Sequence, residues 1–116
     1  MHNILSLIVE SKKRQVEILK KNQDAIISLS KKVPKPLSFK EAIRFENKIS
    51  LIAEIKQASP SSGILRKDFS PIEIAKTFQK LNVRAISVLT EEEFFLGKLQ
   101  FISQIKQEVN LPILRK

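Results

Sequence analysis

The stretch LIAEIKQASPSSG, Leu51–Gly63, decides how this chain folds. An apolar run from Ile49 to Ile55 is broken only by Ser50 and Glu54, meets Lys56, and ends in the turn formers Ser59-Pro60-Ser61-Ser62-Gly63. A run this short, bounded by Pro, Ser and Gly, reads as a strand buried on both faces, as in a parallel sheet. Side chains alternate along a strand, so Ile52, Glu54 and Lys56 share one face and Leu51, Ala53 and Ile55 the other. One face therefore carries a carboxylate and an ammonium at the C-terminal end of a strand, just before a loop. Buried charges persist when they pair with each other or with a ligand. The spacing alone fits a structural ion pair and a site equally well.

Outward from this stretch, the rest of the chain supplies the context. Val33-Pro34-Lys35-Pro36 is a stiff connector, because each proline fixes φ and disfavours helix in the residue before it. Upstream of it, residues 3–22 carry Leu5, Ile8, Val9, Val16 and Leu19 at helical spacing, and residues 24–32 form a second short helical segment. Ser38-Phe39-Lys40-Glu41 is a capping box that starts a short helix to about Phe45. Downstream, Ser70-Pro71-Ile72-Glu73 is a stronger helix start, with Ile74, Ala75, Phe78 and Leu81 as its apolar stripe and Asn82 as its stop. Ala85–Thr90 is a second buried strand, and Glu91–Gly97 a loop whose three glutamates form a solvated face. Leu99, Ile102 and Ile105 mark a helix over 98–108, and Leu111–Lys116 is a third strand, with Pro112 near its start.

The order is a helical prefix and then β-α-β-α-β, with no hairpin signal between strands. That pattern implies right-handed crossovers and a parallel sheet with helices outside. In such folds the chemistry sits beyond the C-terminal ends of the strands. Three places qualify: Glu54 and Lys56 with the Ser59–Gly63 loop, Thr90 with the loop after it, and Lys116.

The composition narrows the partners. The chain has 116 residues, 42% hydrophobic and 28% charged, which suits one small soluble domain. Its net charge of +9 favours anionic partners, although the lysines are scattered and serve equally as a solubilising coat. A nucleic-acid module would need clustered basic residues with stacking side chains, and the chain has seven Phe but no Tyr or Trp. There is no cysteine, so no disulfide or thiolate metal site, which fits a cytoplasmic chain. The lone histidine, His2, leaves no histidine-based triad or metal centre within the chain. Ile4–Val9 is too short for a membrane span and lacks a signal-peptide cleavage pattern.

Four segments together resemble the N-terminal part of indole-3-glycerol phosphate synthase, a (βα)8-barrel family of tryptophan biosynthesis. They are IAEIKQASPSSG (Ile52–Gly63) with DFSPIEIAKTF (Asp68–Phe78), AISVLTEEEFFLG (Ala85–Gly97), LPILRK (Leu111–Lys116), and the lysine-rich first helix with LSFKEAIR (Leu37–Arg44). The resemblance implies a partial TIM barrel, with three parallel strands and crossover helices over residues 48–116, preceded by a helical extension over 1–47. It implies conversion of 1-(2-carboxyphenylamino)-1-deoxyribulose 5-phosphate into indole-3-glycerol phosphate, a lyase reaction that releases carbon dioxide and water without metal or organic cofactor.

By motif match, Lys116 takes the place of the general acid. Lys56 matches a lysine that contacts substrate anions and moves a proton during dehydration. Glu54 matches a carboxylate that orients the lysines, Ser59 a substrate-contacting serine, and Phe95 an aromatic lining the anthranilate pocket. Plainer readings stand beside these: Ser59 as a turn cap, Phe95 as core, and Lys116 as a solvated terminal lysine. The family also draws on strands four to eight, which supply a second glutamate, an asparagine, a serine and the phosphate site.

A complete barrel takes about 250 residues, so the expectation is a fragment: a truncated product, one piece of a split gene, or a partial sequence. Its open sheet would leave two unpaired edges and an uncovered apolar face, to which a complementary barrel fragment could add. A smaller departure is Asn82-Val83, where the family usually has Gly-Ala. Competing functions are another phosphate-binding barrel such as phosphoribosylanthranilate isomerase, which lacks the E-x-K-x-x-S-P-S start and the long prefix, and a basic nucleic-acid-binding module.

Overall fold

A computed structural model describes residues 3–116, and His2 lies outside the described residues. These residues fall into two compact units, residues 3–35 and Pro36–Lys116. The first holds helices α1 (Ile4–Lys21) and α2 (Gln23–Ser30). Asn3 caps α1, its Oδ1 accepting the Ser6 N–H at 2.9 Å, and Lys20 and Lys21 sit in the last turn, where cations favour the helix dipole.

The second unit begins with α3 (Phe39–Ile43), whose N-cap Ser38 accepts the Glu41 N–H at 3.2 Å. Strand β1 (Ile52–Ile55) follows, then a small hairpin of β2 (Ala58–Ser59) and β3 (Gly63–Ile64), helix α4 (Pro71–Lys80), strand β4 (Ala85–Val88), helix α5 (Gln100–Glu108) and strand β5 (Ile113–Arg115). Strands β1, β4 and β5 form one parallel sheet with β4 in the middle. This is the alternating βα pattern expected of a partial TIM barrel behind an N-terminal helical segment.

Helix α4 starts and stops where its sequence dictates. Ser70 Oγ accepts the Glu73 N–H at 3.4 Å, and Pro71 opens the first turn. Asn82 stands at φ 59° just past the end, a left-handed conformation that asparagine tolerates better than most residues. There the Asn82 N–H reaches Gln79 O and the Val83 N–H reaches Phe78 O, satisfying carbonyls the helix leaves open. Lys76 then bridges α4 to α5, with Nζ 3.5 Å from Glu73 and 3.1 Å from Glu108. Hydrogen bonding and charge from Glu108, with help from Glu73, push the Lys76 ammonium above its ordinary value. That contribution is present below the ordinary lysine value and lost as pH rises through the elevated one.

Helices α4 and α5 cover one face of the sheet. Ile55, Ile86 and Val88 from the strands pack with Ala75, Val83, Ile105 and Val109, all buried, while Phe69 and Phe101 meet at 6.0 Å at the margin. Each fully buried Ile or Val side chain contributes about 1.5–3 kcal/mol. The opposite face carries Ile52, Glu54, Ser87 and Leu114, placed together by the register Glu54↔Ser87 and Ser87↔Leu114. Here the sequence expectation needs correcting. Strand β1 is not buried on both faces: Ile52 is 43% exposed, and Ile49 and Leu51 lie outside the strand and exposed. Only β4, flanked on both sides, is buried at every position. A second correction concerns the β1–α4 connection, which carries a hairpin where the sequence shows no hairpin signal: β2 and β3 pair Ala58 with Ile64 and Ser59 with Gly63. Gly63 makes that turn at φ 65°.

Arg84 anchors α3 to the start of β4. Its Nε donates to Ala42 O at 2.8 Å, and its guanidinium lies 4.7 Å from the centre of the Phe45 ring. At the other end of β4, Gly97 lies against Leu89; a Cβ there would stand 2.3 Å from the Leu89 carbonyl oxygen. Gly97→Ala is therefore expected to destabilise the chain by about 1–3 kcal/mol, since backbone rather than a flexible side chain must yield. The shift in the urea midpoint at unchanged slope measures it.

Candidate active site

The parallel register assembles a charged cluster at the C-terminal ends of the three strands. Glu54 on β1 stands opposite Ser87 on β4, and Ser87 Oγ donates to Glu54 Oε2 at 3.2 Å. Leu114 on β5 stands opposite Ser87, and Lys116, two residues on, returns to the same face. Its Nζ reaches Glu54 Oε2 at 3.1 Å. Lys56, two residues past Glu54, places Nζ 3.6 Å from the other oxygen, Oε1. One carboxylate thus holds an ammonium on each oxygen and a hydroxyl besides.

The Lys116 backbone is tied down as well. Its N–H donates to Val88 O at 3.0 Å, and its carbonyl accepts both the Thr90 N–H at 2.9 Å and Thr90 Oγ1–H at 3.1 Å. Lys116 thus joins the cluster through its Nζ while most of its side chain stays in water.

The cluster is wetter than a buried pair would be. Side-chain exposure is 31% for Glu54, 35% for Lys56 and 59% for Lys116. Ion pairs this exposed contribute about 0–1 kcal/mol each. Stability is thus a weak reason for placing three charges here, and what they offer is a pair of adjacent cations held in fixed positions. Burial pushes the Glu54 carboxyl up. The hydrogen bond and charge of Lys116, the hydroxyl of Ser87 and the charge of Lys56 together outweigh burial and hold it below the ordinary carboxylate range.

Ser59, at the end of β2 in the hairpin after β1, and Phe95, on the loop after β4, lie outside the ion-pair network. Ser59 Oγ is engaged within its own turn, accepting the Ser62 N–H at 3.2 Å and lying 3.3 Å from Ser61 Oγ. Phe95 is half-buried on the loop after β4. Between the two loops runs a cleft of about 320 Å³ lined by Gln57, Glu92, Leu96, Gly97 and Lys98. Among the described residues, no three His, Cys, Asp or Glu side chains gather as a metal site.

Two participants escape the sequence reading. Ser87 lies inside what reads as a plain buried strand, and only the cross-strand register shows that its hydroxyl meets Glu54. Glu91 is buried, at 7% exposure, rather than part of a solvated loop face. Its carboxylate accepts backbone N–H groups from Glu93, Phe94 and Phe95, which is why it can leave water.

Comparison with known proteins follows the same lines. A family model described as indole-3-glycerol phosphate synthase matches residues 5–116. The chain is similar to the indole-3-glycerol phosphate synthase of Clostridium acetobutylicum, 42% identical over 112 residues covering 97% of this chain and 40% of the relative. It is 44% identical to that of a Geobacillus species over 116 residues, covering 97% of the chain and 42% of the relative. For Desulfotalea psychrophila the identity is 38% over 118 residues, covering 100% and 45%. The chain spans about two fifths of the length of the relatives it matches.

A depressed carboxyl contributes stability above its ordinary titration range and loses it as pH falls through the depressed value. Removing Lys116 takes away the largest favourable cause, so Lys116→Met is expected to move the Glu54 titration upward. The chain should then lose that stability at higher pH on acidification. Carboxyl ¹³C shifts of Glu54 followed against pH measure this, and an unmoved titration would show that Lys116 does not act on the carboxylate in solution.

Proposed function

The chain belongs to the indole-3-glycerol phosphate synthase family, and we propose that it supplies the first three strands and the first half of the acid–base machinery of that enzyme. The reaction is closure of the indole ring: 1-(2-carboxyphenylamino)-1-deoxyribulose 5-phosphate becomes indole-3-glycerol phosphate, with loss of carbon dioxide and water. The observation that carries the reading is the bridging of both lysines to one carboxylate at the ends of parallel strands, with Nζ–O distances of 3.1 and 3.6 Å.

In this reading Lys116 is the general acid. Ring closure places growing negative charge on the ribulose carbonyl oxygen as the aromatic carbon attacks, and a proton delivered from Lys116 Nζ relieves it. The leaving carboxylate and the phosphorylated chain are both anionic. Lys56 contacts such a group and takes part in the later proton transfer that expels water. Glu54 orients both ammonium groups, and its own carboxylate is held by Ser87. Ser59 contacts substrate from the hairpin loop, which requires it to leave its bond with Ser61 or share it. Phe95 lines the pocket for the anthranilate ring. No metal or organic cofactor enters the scheme.

The remaining strands of the barrel complete the site, closing over the face on which Ile52 and Leu114 are exposed. A complementary barrel segment supplies them, whether as the continuation of this chain or as a separate piece. A cytoplasmic location, with neither nucleic acid nor membrane as partner, belongs to the same reading; no helix among the described residues is long and apolar enough to cross a membrane. Another phosphate-binding barrel or a nucleic-acid module has no specific observation in its favour.

Steady-state assay of the purified 116-residue chain for indole-3-glycerol phosphate is expected to show no turnover. The chain combined with the C-terminal remainder of the Clostridium acetobutylicum relative is expected to show turnover. Lys116→Ala in that assembly should lower it by about 10²–10⁴-fold. Clear turnover by the chain alone would refute the requirement for further strands, and full activity of the Lys116→Ala assembly would remove Lys116 as the acid.

A further inference from the structure

Glu91 is a buried carboxylate that the acid–base scheme does not use, and its surroundings say what it does. Oε1 accepts the Glu93 N–H at 3.1 Å, and Oε2 accepts those of Phe94 at 2.7 Å and Phe95 at 3.2 Å. Three consecutive amides converging on one anion form a nest, and charge-assisted bonds of this kind are about twice as strong as neutral ones. The Glu91 main chain closes the same loop from the other side, its carbonyl accepting the Gly97 N–H at 2.7 Å. Between these anchors Leu96 is held at φ 55°, a conformation a leucine seldom adopts unless its surroundings impose it. Gly97, with no side chain, lets the returning strand of the loop lie on the Leu89 carbonyl.

We propose that Glu91 is a positioning residue: its carboxylate holds the Glu93–Phe95 backbone and so fixes where the Phe95 ring stands on the loop after β4. The significance for substrate rests on the reading of Phe95 given above; the hold on the loop does not. Both carboxylate oxygens are used, so the neutral isostere fails, because glutamine turns an N–H₂ toward amides that need an acceptor. Aspartate keeps charge and both acceptors on a shorter arm, and side-chain acceptance from the next few amides is a bond aspartate makes readily.

The test uses the full chain with 4-fluorophenylalanine at its seven phenylalanine positions, the Phe95 resonance being assigned by Phe95→Leu. In the unaltered chain the Glu93, Phe94 and Phe95 amides should exchange at least about tenfold more slowly than unstructured amides. Glu91→Gln should abolish that protection and move the Phe95 ¹⁹F signal toward the free amino acid. The Phe69 and Phe101 signals and the β4 amides should stay in place, and Glu91→Asp should restore much of the pattern. Unprotected amides in the unaltered chain, or an unmoved Phe95 signal in Glu91→Gln, would overturn the proposal. Should Glu91→Gln lose the Phe101 signal as well, the unaltered chain and Glu91→Asp decide: protected amides in both support it, and unprotected amides in either overturn it. Fluorescence titration with 2-(methylamino)benzoate reports separately on the Phe95 pocket. Binding indifferent to Phe95→Leu would reject the pocket reading while the exchange and ¹⁹F results still decide what Glu91 holds.

Discussion

The register of three parallel strands is the constraint on which everything else in the second unit depends. Alternation puts Glu54, Ser87 and Lys116 on one face only when Glu54 pairs with Ser87 and Ser87 with Leu114. A slip of one residue would turn Glu54 into the layer of Ile86, Val88 and Ile105, where an ion has no partner. The apolar side chains of the helix-covered face therefore fix the register, and the charges at the rim inherit their positions from it. The backbone bonds that finish the sheet, Lys116 N–H to Val88 O and Thr90 N–H to Lys116 O, extend that register to Lys116 itself.

The two faces of the sheet are unequal, and the inequality explains the electrostatics. Helices α4 and α5 dry one face, so Ile86, Val88 and Ile105 reach full burial. The other face keeps Ile52 and Leu114 nearly half exposed, at 43% and 47%. Glu54 consequently feels its two lysines through a partly aqueous medium, and together with Ser87 they hold its carboxyl below the ordinary carboxylate range. Covering this face with further strands would withdraw the same three charges from water and strengthen each interaction among them. The family relation and the exposed apolar pair thus point the same way.

Much of this arrangement was legible in the residues. Helix starts at Ser38 and Ser70 and the stop at Asn82 follow from side chains that satisfy specific backbone groups, a local chemistry readable without a fold. The three main strands and the Glu54–Lys56 pair followed from alternation, and Lys116 from strand ends sharing one rim. What escaped depended on partners distant in sequence or on surroundings. Ile52 alternates like a core residue, and its exposure depends on what packs over the strand rather than on its own chemistry. The β2–β3 hairpin has strands of two residues, too short to leave a periodic signal. Glu91 looked like one of three solvated glutamates because a carboxylate binding its own following amides leaves no trace in charge or hydropathy. Ser87 needed the cross-strand register before its hydroxyl had a role.

The central claim is that sheet register alone brings Lys116 to Glu54. Nuclear Overhauser contacts in the folded chain test it most directly. Cross-strand backbone contacts should join Glu54 to Ser87 and Ser87 to Leu114, together with a contact between the Lys116 ε-methylene and the Glu54 γ-methylene. Contacts pairing Glu54 with Ile86 or Val88 instead, or a Lys116 side chain with no contact to Glu54, would contradict it.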